Sequence, residues 1–359
     1  MKIIHLTEAM GGGIVTFTDS ISRRQVEEGV EVEVWYLVRP DTPSEESLRN
    51  RFDNRVKLVR LGAANQLGLF FRTVRKAYRD NRADVFHLHA AKGGAVGRLA
   101  LVGVRTHSRV FYSPHGFPFL RANSSLFVRN AYQIVEKSLS GIGTGLILTS
   151  ESERRLAQKL LRGKTNHLLK SGVPSESIRS DAREPRSDRP VVVGTASRII
   201  FQKAPWRFAA VASAIGQSPG VEFLWIGDGD AELREKWIDG APVSVTGWVS
   251  HVEFETLMES IDVFLFPSLW EGMALSLIHA QARGIPAVVS NAVGNVDSVL
   301  DGETGFICSN DTELIDATRR LTDDRNLRRS MSARALLWAR EGLTDDEIGR
   351  DSIKLYQSE

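Results

Sequence analysis

The sequence predicts an α/β protein built as two Rossmann-like domains, each a parallel sheet wrapped by helices. Three observations carry that prediction. Short apolar or β-branched runs alternate with longer stretches of helical periodicity, the pattern of successive βαβ units. The alternation stops between Ser171 and Pro190, in a stretch of Gly, Pro, Ser, Asp and Arg without period, and then begins again. Finally, 359 residues exceed the roughly 100–200 of one ordinary domain.

In chain order, the first series of expected strands is Ile3–Thr7, Val32–Val38, Val56–Leu61, Val85–Leu88, Val110–Ser113 and Leu146–Thr149. The second is Val191–Thr195, Val221–Ile226, Val243–Val245, Val263–Phe266 and Ala287–Ser290. The tail, about Thr344–Gln357, has a helical period with Ile348, Ile353, Leu355 and Tyr356 apolar, and is expected to pack back on the first domain. The expected layout is an N-terminal domain at 1–172, a linker at 173–190, a second domain at 191–342 and a terminal helix within 343–359. Two such domains imply a cleft between them. Self-similarity at a period of roughly 20–50 residues is lacking, which excludes a solenoid or propeller.

Composition narrows the function classes. With 42% apolar and 25% charged residues the chain is of the soluble globular class, and it has no apolar run of the roughly 18–20 residues that a spanning helix needs. The N-terminus turns polar at Glu8, too early for a secretory core, so export is not expected. Cys308 is the sole cysteine, which excludes an internal disulfide and a Cys-based metal cluster and suits the cytoplasm. Residues 1–180 carry 28 Lys+Arg against 16 Asp+Glu, and residues 181–359 carry 18 against 28. A basic half suits nucleic acid, an anionic membrane or a phosphorylated substrate, and Arg-rich solvated helix faces explain it equally well.

Several turns sit where a parallel sheet receives ligands, beyond the carboxyl ends of its strands. Gly11-Gly-Gly13 follows the first strand and precedes a helix, so its backbone N–H groups can receive a phosphate, although a plain tight turn is an equal reading. As a dinucleotide fingerprint it is poor, because Thr16 stands where a third glycine is wanted. Arg198 and Lys203 bring two cations past the strand ending near Thr195, able to neutralise a diphosphate leaving group. Gly227-Asp-Gly229 ends another strand, and Pro267-Ser-Leu-Trp-Glu-Gly272 leads into a helical stretch, Ala274–Arg283. Glu271 either caps that helix or accepts hydrogen bonds from sugar hydroxyls. His87 and His89 share one face of a strand, but without a third ligand at suitable spacing a zinc site is not expected. His115, between Pro114 and Gly116 at the ligand edge, suits a polar contact with substrate or a structural hydrogen bond.

Taken together, Gly194–Lys203, Gly227-Asp-Gly229, Gly247-Trp-Val249, Pro267–Gly272 and Gly302–Phe306 resemble the C-terminal domain of the retaining glycosyltransferases called group 1, or family 4. Gly11–Gly13, Asp84–His89 and Ser113–Phe117 look like the N-terminal counterparts. The resemblance implies the GT-B fold, two Rossmann-like domains facing across a deep cleft. It implies that Gly12 and Gly13 approach the donor diphosphate, that Arg198 and Lys203 neutralise it without a metal, and that Glu271 holds a donor-sugar hydroxyl. By the same resemblance the stretch Gly272, Met273, Ala274, Leu275 and Ser276 offers amides to sugar and phosphate, Gly227 and the Trp248–Val249 segment border the base, and His115 sits near the reacting centre. His279 stands where the family commonly has a second glutamate for the ribose, and Met273-Ala274 departs from the family's usual aromatic residue and glycine or proline.

Lys92–Arg98 and Tyr112–Leu120 look most like bacterial enzymes assembling capsule, exopolysaccharide or O-antigen units. That likeness implies a UDP-sugar donor, with GDP second, a polyprenyl-diphosphate-linked glycan acceptor, and no cofactor. Arg72, Arg75, Lys76, Arg79 and Arg82 beside Leu69-Phe70-Phe71 fit a peripheral contact with the inner face of the cytoplasmic membrane rather than with nucleic acid. The expectation is therefore a retaining glycosyltransferase. Its rivals are a non-hydrolysing sugar-nucleotide epimerase of the same architecture, a non-catalytic nucleotide-binding relative and, last, a nicotinamide dehydrogenase.

Overall fold

Strands buried on both faces read as continuous apolar runs, and the chain folds them into two all-parallel sheets. The structure, a computed structural model, describes residues 1–161, 165–186, 188–216 and 220–358; residues 187 and 359, within the expected linker and terminal segment, lie outside them. The chain divides into one unit of Met1–Ser171 with Asp345–Glu359 and a second of Gly172–Thr344.

The first unit holds β1 (Lys2–Thr7), β2 (Glu31–Val38), β3 (Lys57–Ala63), β4 (Val85–His89), β5 (Arg109–Ser113), β6 (Gly145–Leu148) and β7 (Asn166–Leu168), in the order β3-β2-β1-β4-β5-β6-β7. Strand order reverses between β1 and β4, and that switch point is where open α/β sheets bind ligands. The edge strand β7 was not expected from sequence: it has three half-buried residues, too few to show a period.

The C-terminal helix begins at Ile348 rather than near Thr344, and it lies against helix Gly13–Glu27. Gly349 permits the approach, since an added Cβ would stand 2.5 Å from the carbonyl carbon of Arg24. Arg24 pairs with Asp346 at 2.9 Å, and Tyr356 and Ile348 join a core with Ile3, Phe17, Ile21 and Phe111.

The second unit holds β8 (Val191–Ala196), β9 (Val221–Ile226), β10 (Ser244–Val245), β11 (Val263–Phe266), β12 (Ala287–Ser290) and β13 (Gly305–Cys308), ordered β10-β9-β8-β11-β12-β13. Its switch point lies between β8 and β11. The strand β13 was also unexpected, being four residues long and opened by a glycine at the sheet edge. Residues 173–190 carry a 3₁₀ turn, Ser175–Ser177, and they bury Val173 and Ile178 against Ile278, Leu336 and Leu343. The Val173 N–H donates to the Leu343 carbonyl at 2.9 Å, so the chain enters and leaves this unit side by side.

Candidate functional site

In the second unit the candidate residues gather at the switch point. Past β8 the chain runs through Arg198, half-buried, into the 3₁₀ turn Phe201–Lys203. Gly227 has φ +123°, and an added Cβ would lie 2.4 Å from the Ser197 carbonyl oxygen. At Gly229 the same atom would lie 2.4 Å from the carbonyl oxygen of Ile199. The Gly-Asp-Gly turn therefore braces the backbone on both sides of Arg198.

Lys203 Nζ lies 2.7 Å from Glu271 Oε1 and 4.9 Å from the centre of the Phe266 ring. Glu271 Oε2 accepts from Gln202 Nε2 at 3.2 Å, and Gln202 also donates to the Trp270 carbonyl at 2.7 Å. This settles one alternative. Helix Leu275–Ala282 has Ala274 as its N-cap with no capping side chain, so Glu271 pairs with Lys203 and Gln202 instead of capping. Gly294 packs on it so closely that a Cβ there would stand 2.8 Å from Glu271 Cβ. Gly272 and Ala274 are buried, while Met273, Leu275, Ser276 and His279 are half-buried.

His279 Nδ1 lies 3.2 Å from Arg283 Nη1. Arginine can only donate, so Nδ1 accepts, and a neutral ring then carries its proton on Nε2. Beyond β9 and β10, Trp248 is 68% exposed, while Val249 packs into the apolar core.

In the first unit, Gly12 has φ +57° and is the N-cap of helix Gly13–Glu27 without a side-chain cap; both Gly12 and Gly13 are exposed. An N-terminus with uncapped N–H groups favours an anion. Glu8, buried beside it, accepts from the Gly93 N–H at 3.0 Å, and burial pushes its carboxyl above the usual range.

His115 follows β5 with φ +52°, a conformation that costs a non-glycine residue energy and needs bracing. Glu153, fully buried in helix Glu151–Leu160, supplies the brace: its Oε1 accepts from the Gly116 N–H at 2.7 Å. His115 Nε2 lies 2.9 Å from His89 Nδ1, and the ring stands edge-on to Phe17 at 4.8 Å.

The expectation that His87 and His89 lack a third ligand is corrected here. β1 lies beside β4 with His5 in register with His87, so ring nitrogens of His5, His87 and His89 all come within 4.8 Å of one another. Three imidazoles could form a zinc set, but every ring nitrogen of the three already has a hydrogen-bond partner. A hydrogen-bonded core fits that pattern better than a coordination site. Burial lowers His5 to about 4 and pushes His87 and His89 well below their ordinary value.

The basic stretch near Leu69-Phe70-Phe71 keeps Leu69, Arg72, Lys76, Arg79 and Arg82 exposed but turns part of its apolar surface inward. Phe70 is fully buried in the core, Phe71 is half-buried, and Arg75 donates to the carbonyls of Ala100 and Val102. A larger group of exposed apolar side chains lies on helix Leu126–Leu139, where Leu126 is 73%, Phe127 83% and Ile134 64% exposed. Among the described residues no helix is long and apolar enough to cross a membrane.

Sequence reading missed His5, Gln25, Glu8, Glu153 and Gln202. For the histidines a signal existed: three expected strands, the first, fourth and fifth, each carry polar residues amid apolar ones, at His5, at His87 and His89, and at Ser113.

Two family models match the sequence, Glycosyl transferase 4-like domain over residues 12–168 and Glycosyl transferases group 1 over residues 190–324. A curated relative, the UDP-Gal:alpha-D-GlcNAc-diphosphoundecaprenol alpha-1,3-galactosyltransferase of Escherichia coli, is 29% identical over 275 residues, 70% of this chain and 70% of that protein. Sucrose-phosphate synthase from Thermosynechococcus elongatus is similar in structure, with a TM-score of 0.83 at 18% identity, over 100% of this chain and 99% of that one. HepE of Anabaena, solved in complex with UDP-glucose, gives 0.80 at 17% identity, over 100% of both chains. These structural likenesses show the fold, GT-B.

Proposed function

The chain belongs to the group 1 glycosyltransferases, and from that premise we propose that it moves a sugar from a nucleoside-diphosphate sugar, UDP before GDP, to a lipid-linked glycan with retention of configuration. The observation that carries the reading is the Lys203–Glu271 pair beside the braced Arg198 turn at the switch point of the second unit. A departing diphosphate needs preorganised positive charge, and a glutamate held at a lysine is oriented to accept from a sugar hydroxyl.

In the proposed step the acceptor oxygen bonds to the anomeric carbon on the face from which the diphosphate leaves. The bond between that carbon and the diphosphate oxygen breaks, and the acceptor's proton passes to the leaving group. Arg198 and Lys203 stabilise the charge with no metal required, Gly12 and Gly13 offer amides to the diphosphate, and His115 meets the donor sugar. Gly272–Ser276 offer amides to sugar and phosphate, Gly227 and Trp248–Val249 border the base, and His279 takes the ribose position.

The Escherichia coli relative names a UDP-galactose donor and a diphosphoundecaprenol-linked acceptor, and HepE was solved with UDP-glucose; both favour the UDP reading. A lipid-linked acceptor also suits the apolar face of Leu126, Phe127, Ile134 and Val135, flanked by exposed Arg121 and Lys137, as a contact with an anionic bilayer from the cytoplasmic side.

Purified protein should be incubated with UDP- and GDP-sugars and a polyprenyl-diphosphate-linked acceptor, and the anomeric configuration of the product read by NMR. An α-linked product from an α-linked UDP-sugar supports the reading. Transfer from a GDP-sugar alone changes the base, inversion overturns the mechanism, and an epimerised sugar nucleotide formed without acceptor overturns transfer.

A further inference from the structure

A chain of buried hydrogen bonds in the first unit ends at His115, and its far end can run in one direction only. Ser352 Oγ lies 2.7 Å from the Gly349 carbonyl oxygen. A carbonyl can only accept, so the single hydroxyl proton of Ser352 is committed to it. The 2.9 Å contact between Ser352 Oγ and Gln25 Nε2 must then be donated by the amide, which turns Gln25 Oε1 toward His5 Nε2, 2.8 Å away. That oxygen accepts, so His5 carries its proton on Nε2 and a bare lone pair on Nδ1.

The same step repeats twice. His5 Nδ1 lies 2.9 Å from His89 Nε2, which must donate, leaving His89 Nδ1 bare; His89 Nδ1 lies 2.9 Å from His115 Nε2, which must donate in turn. Each step requires a neutral ring with one N–H. Gln25, Ser352, His5 and His89 are fully buried, and burial holds His5 and His115 down at about 4 and His89 well below its ordinary value. Flipping the Gln25 amide would set its oxygen against Ser352 Oγ, whose one proton cannot serve both that oxygen and the Gly349 carbonyl, so a hydrogen bond would be lost. A parallel branch runs the same way: Ser113 donates to the Ile147 carbonyl at 2.7 Å, so His87 Nε2 donates to Ser113 and the Tyr356 hydroxyl donates to His87 Nδ1. Ser352 and Tyr356 stand four residues apart on the C-terminal helix and anchor one branch each.

We propose that Gln25 and Ser352 are positioning residues that fix His115 as the Nε2–H tautomer, so that its Nδ1, unbonded among the described residues, is a hydrogen-bond acceptor aimed at a substrate hydroxyl. The use made of that acceptor rests on His115 meeting the donor sugar; the tautomer does not. A site built this way selects a hydroxyl that donates and discriminates against a sugar lacking it, because the Nδ1 lone pair is then left without its partner in the complex.

The test reads the tautomer directly, on the full chain labelled with ¹⁵N-histidine, by two-bond ¹H–¹⁵N correlation at neutral pH. Wild-type protein is expected to show Nε2–H at His5, His89 and His115, and a proton on Nδ1 of His115 overturns the proposal without any variant. Gln25→Leu removes the acceptor at the head of the chain and should populate the Nδ1–H form of His115. Unchanged tautomers in Gln25→Leu would remove Gln25 from the role. Turnover of Gln25→Leu should fall about tenfold, the worth of one neutral hydrogen bond, with binding of the nucleoside diphosphate unchanged. If the tautomer switches and turnover does not, the placement of His115 at the sugar fails while the relay stands.

Discussion

The two switch points hold opposite chemistry. In the first unit imidazoles are joined in a hydrogen-bonded chain, held neutral by burial, and a carboxylate, Glu153, accepts from the backbone beside His115. In the second unit they are charged, with Lys203 on Glu271 at 2.7 Å and Arg198 on the adjoining turn. A neutral acceptor suits an uncharged sugar hydroxyl, and a fixed cation suits a departing diphosphate. One parallel-sheet architecture, used twice, thus presents two electrostatic environments because the side chains past the strand ends differ.

Removing the cation should have the largest effect. Lys203→Ala is expected to lower turnover by about 10²–10³, the cost of losing one preorganised charge-stabilising group, and steady-state kinetics on the UDP-sugar would show it; unchanged turnover would detach Lys203 from the leaving group.

Acid should strike the neutral side. The folded pKa of His5 is about 4, against roughly 6.5 when unfolded, so below pH 6.5 the unfolded chain binds more protons. The stability that His5 contributes is complete above 6.5 and is lost as pH falls toward 4, about 3 kcal/mol from this group. Urea melts from pH 7 to 4.5 that show no fall in stability would mean that the imidazole cluster is already charged or open.

Glu153→Ala strips the acceptor from the Gly116 and Thr149 N–H groups and should cost about 1–3 kcal/mol. Because His115 then loses its brace, turnover should fall as well, while binding of UDP to the second unit stays unaltered; a calorimetric UDP titration separates the two. The smallest effect on stability is expected at the exposed helix face: Phe127→Ser should leave the melt within about 0.5 kcal/mol yet weaken sedimentation with anionic liposomes. Full retention of liposome binding by that variant would move the membrane contact elsewhere.

Much was legible from sequence because it is written locally. A strand such as Val263–Phe266 shows itself as an unbroken apolar run, since a parallel strand is buried on both faces. The turns at Gly11–Gly13, Gly194–Lys203 and Pro267–Gly272 are contiguous motifs, and they identified the family from residue order alone. The edge strands escaped for local reasons: β7, Asn-His-Leu, is mostly polar, and β13 opens on Gly305 directly after a turn.

What only the tertiary structure decided is who faces whom. His5 and His89 are 84 residues apart, and Gln25 and Ser352 are 327 apart; their meeting depends on β1 lying beside β4 and on the C-terminal helix returning to the first. Glu271 could cap a helix or pair with a lysine on local grounds, and the position of Lys203 across 68 residues chose the pair. Phe70 and Phe127 are the same residue type on amphipathic helices, and one is core and the other surface. Periodicity and turn chemistry act between neighbours in the chain, whereas hydrogen-bond direction, ion pairing and exposure are set by register and strand order, which no local stretch encodes.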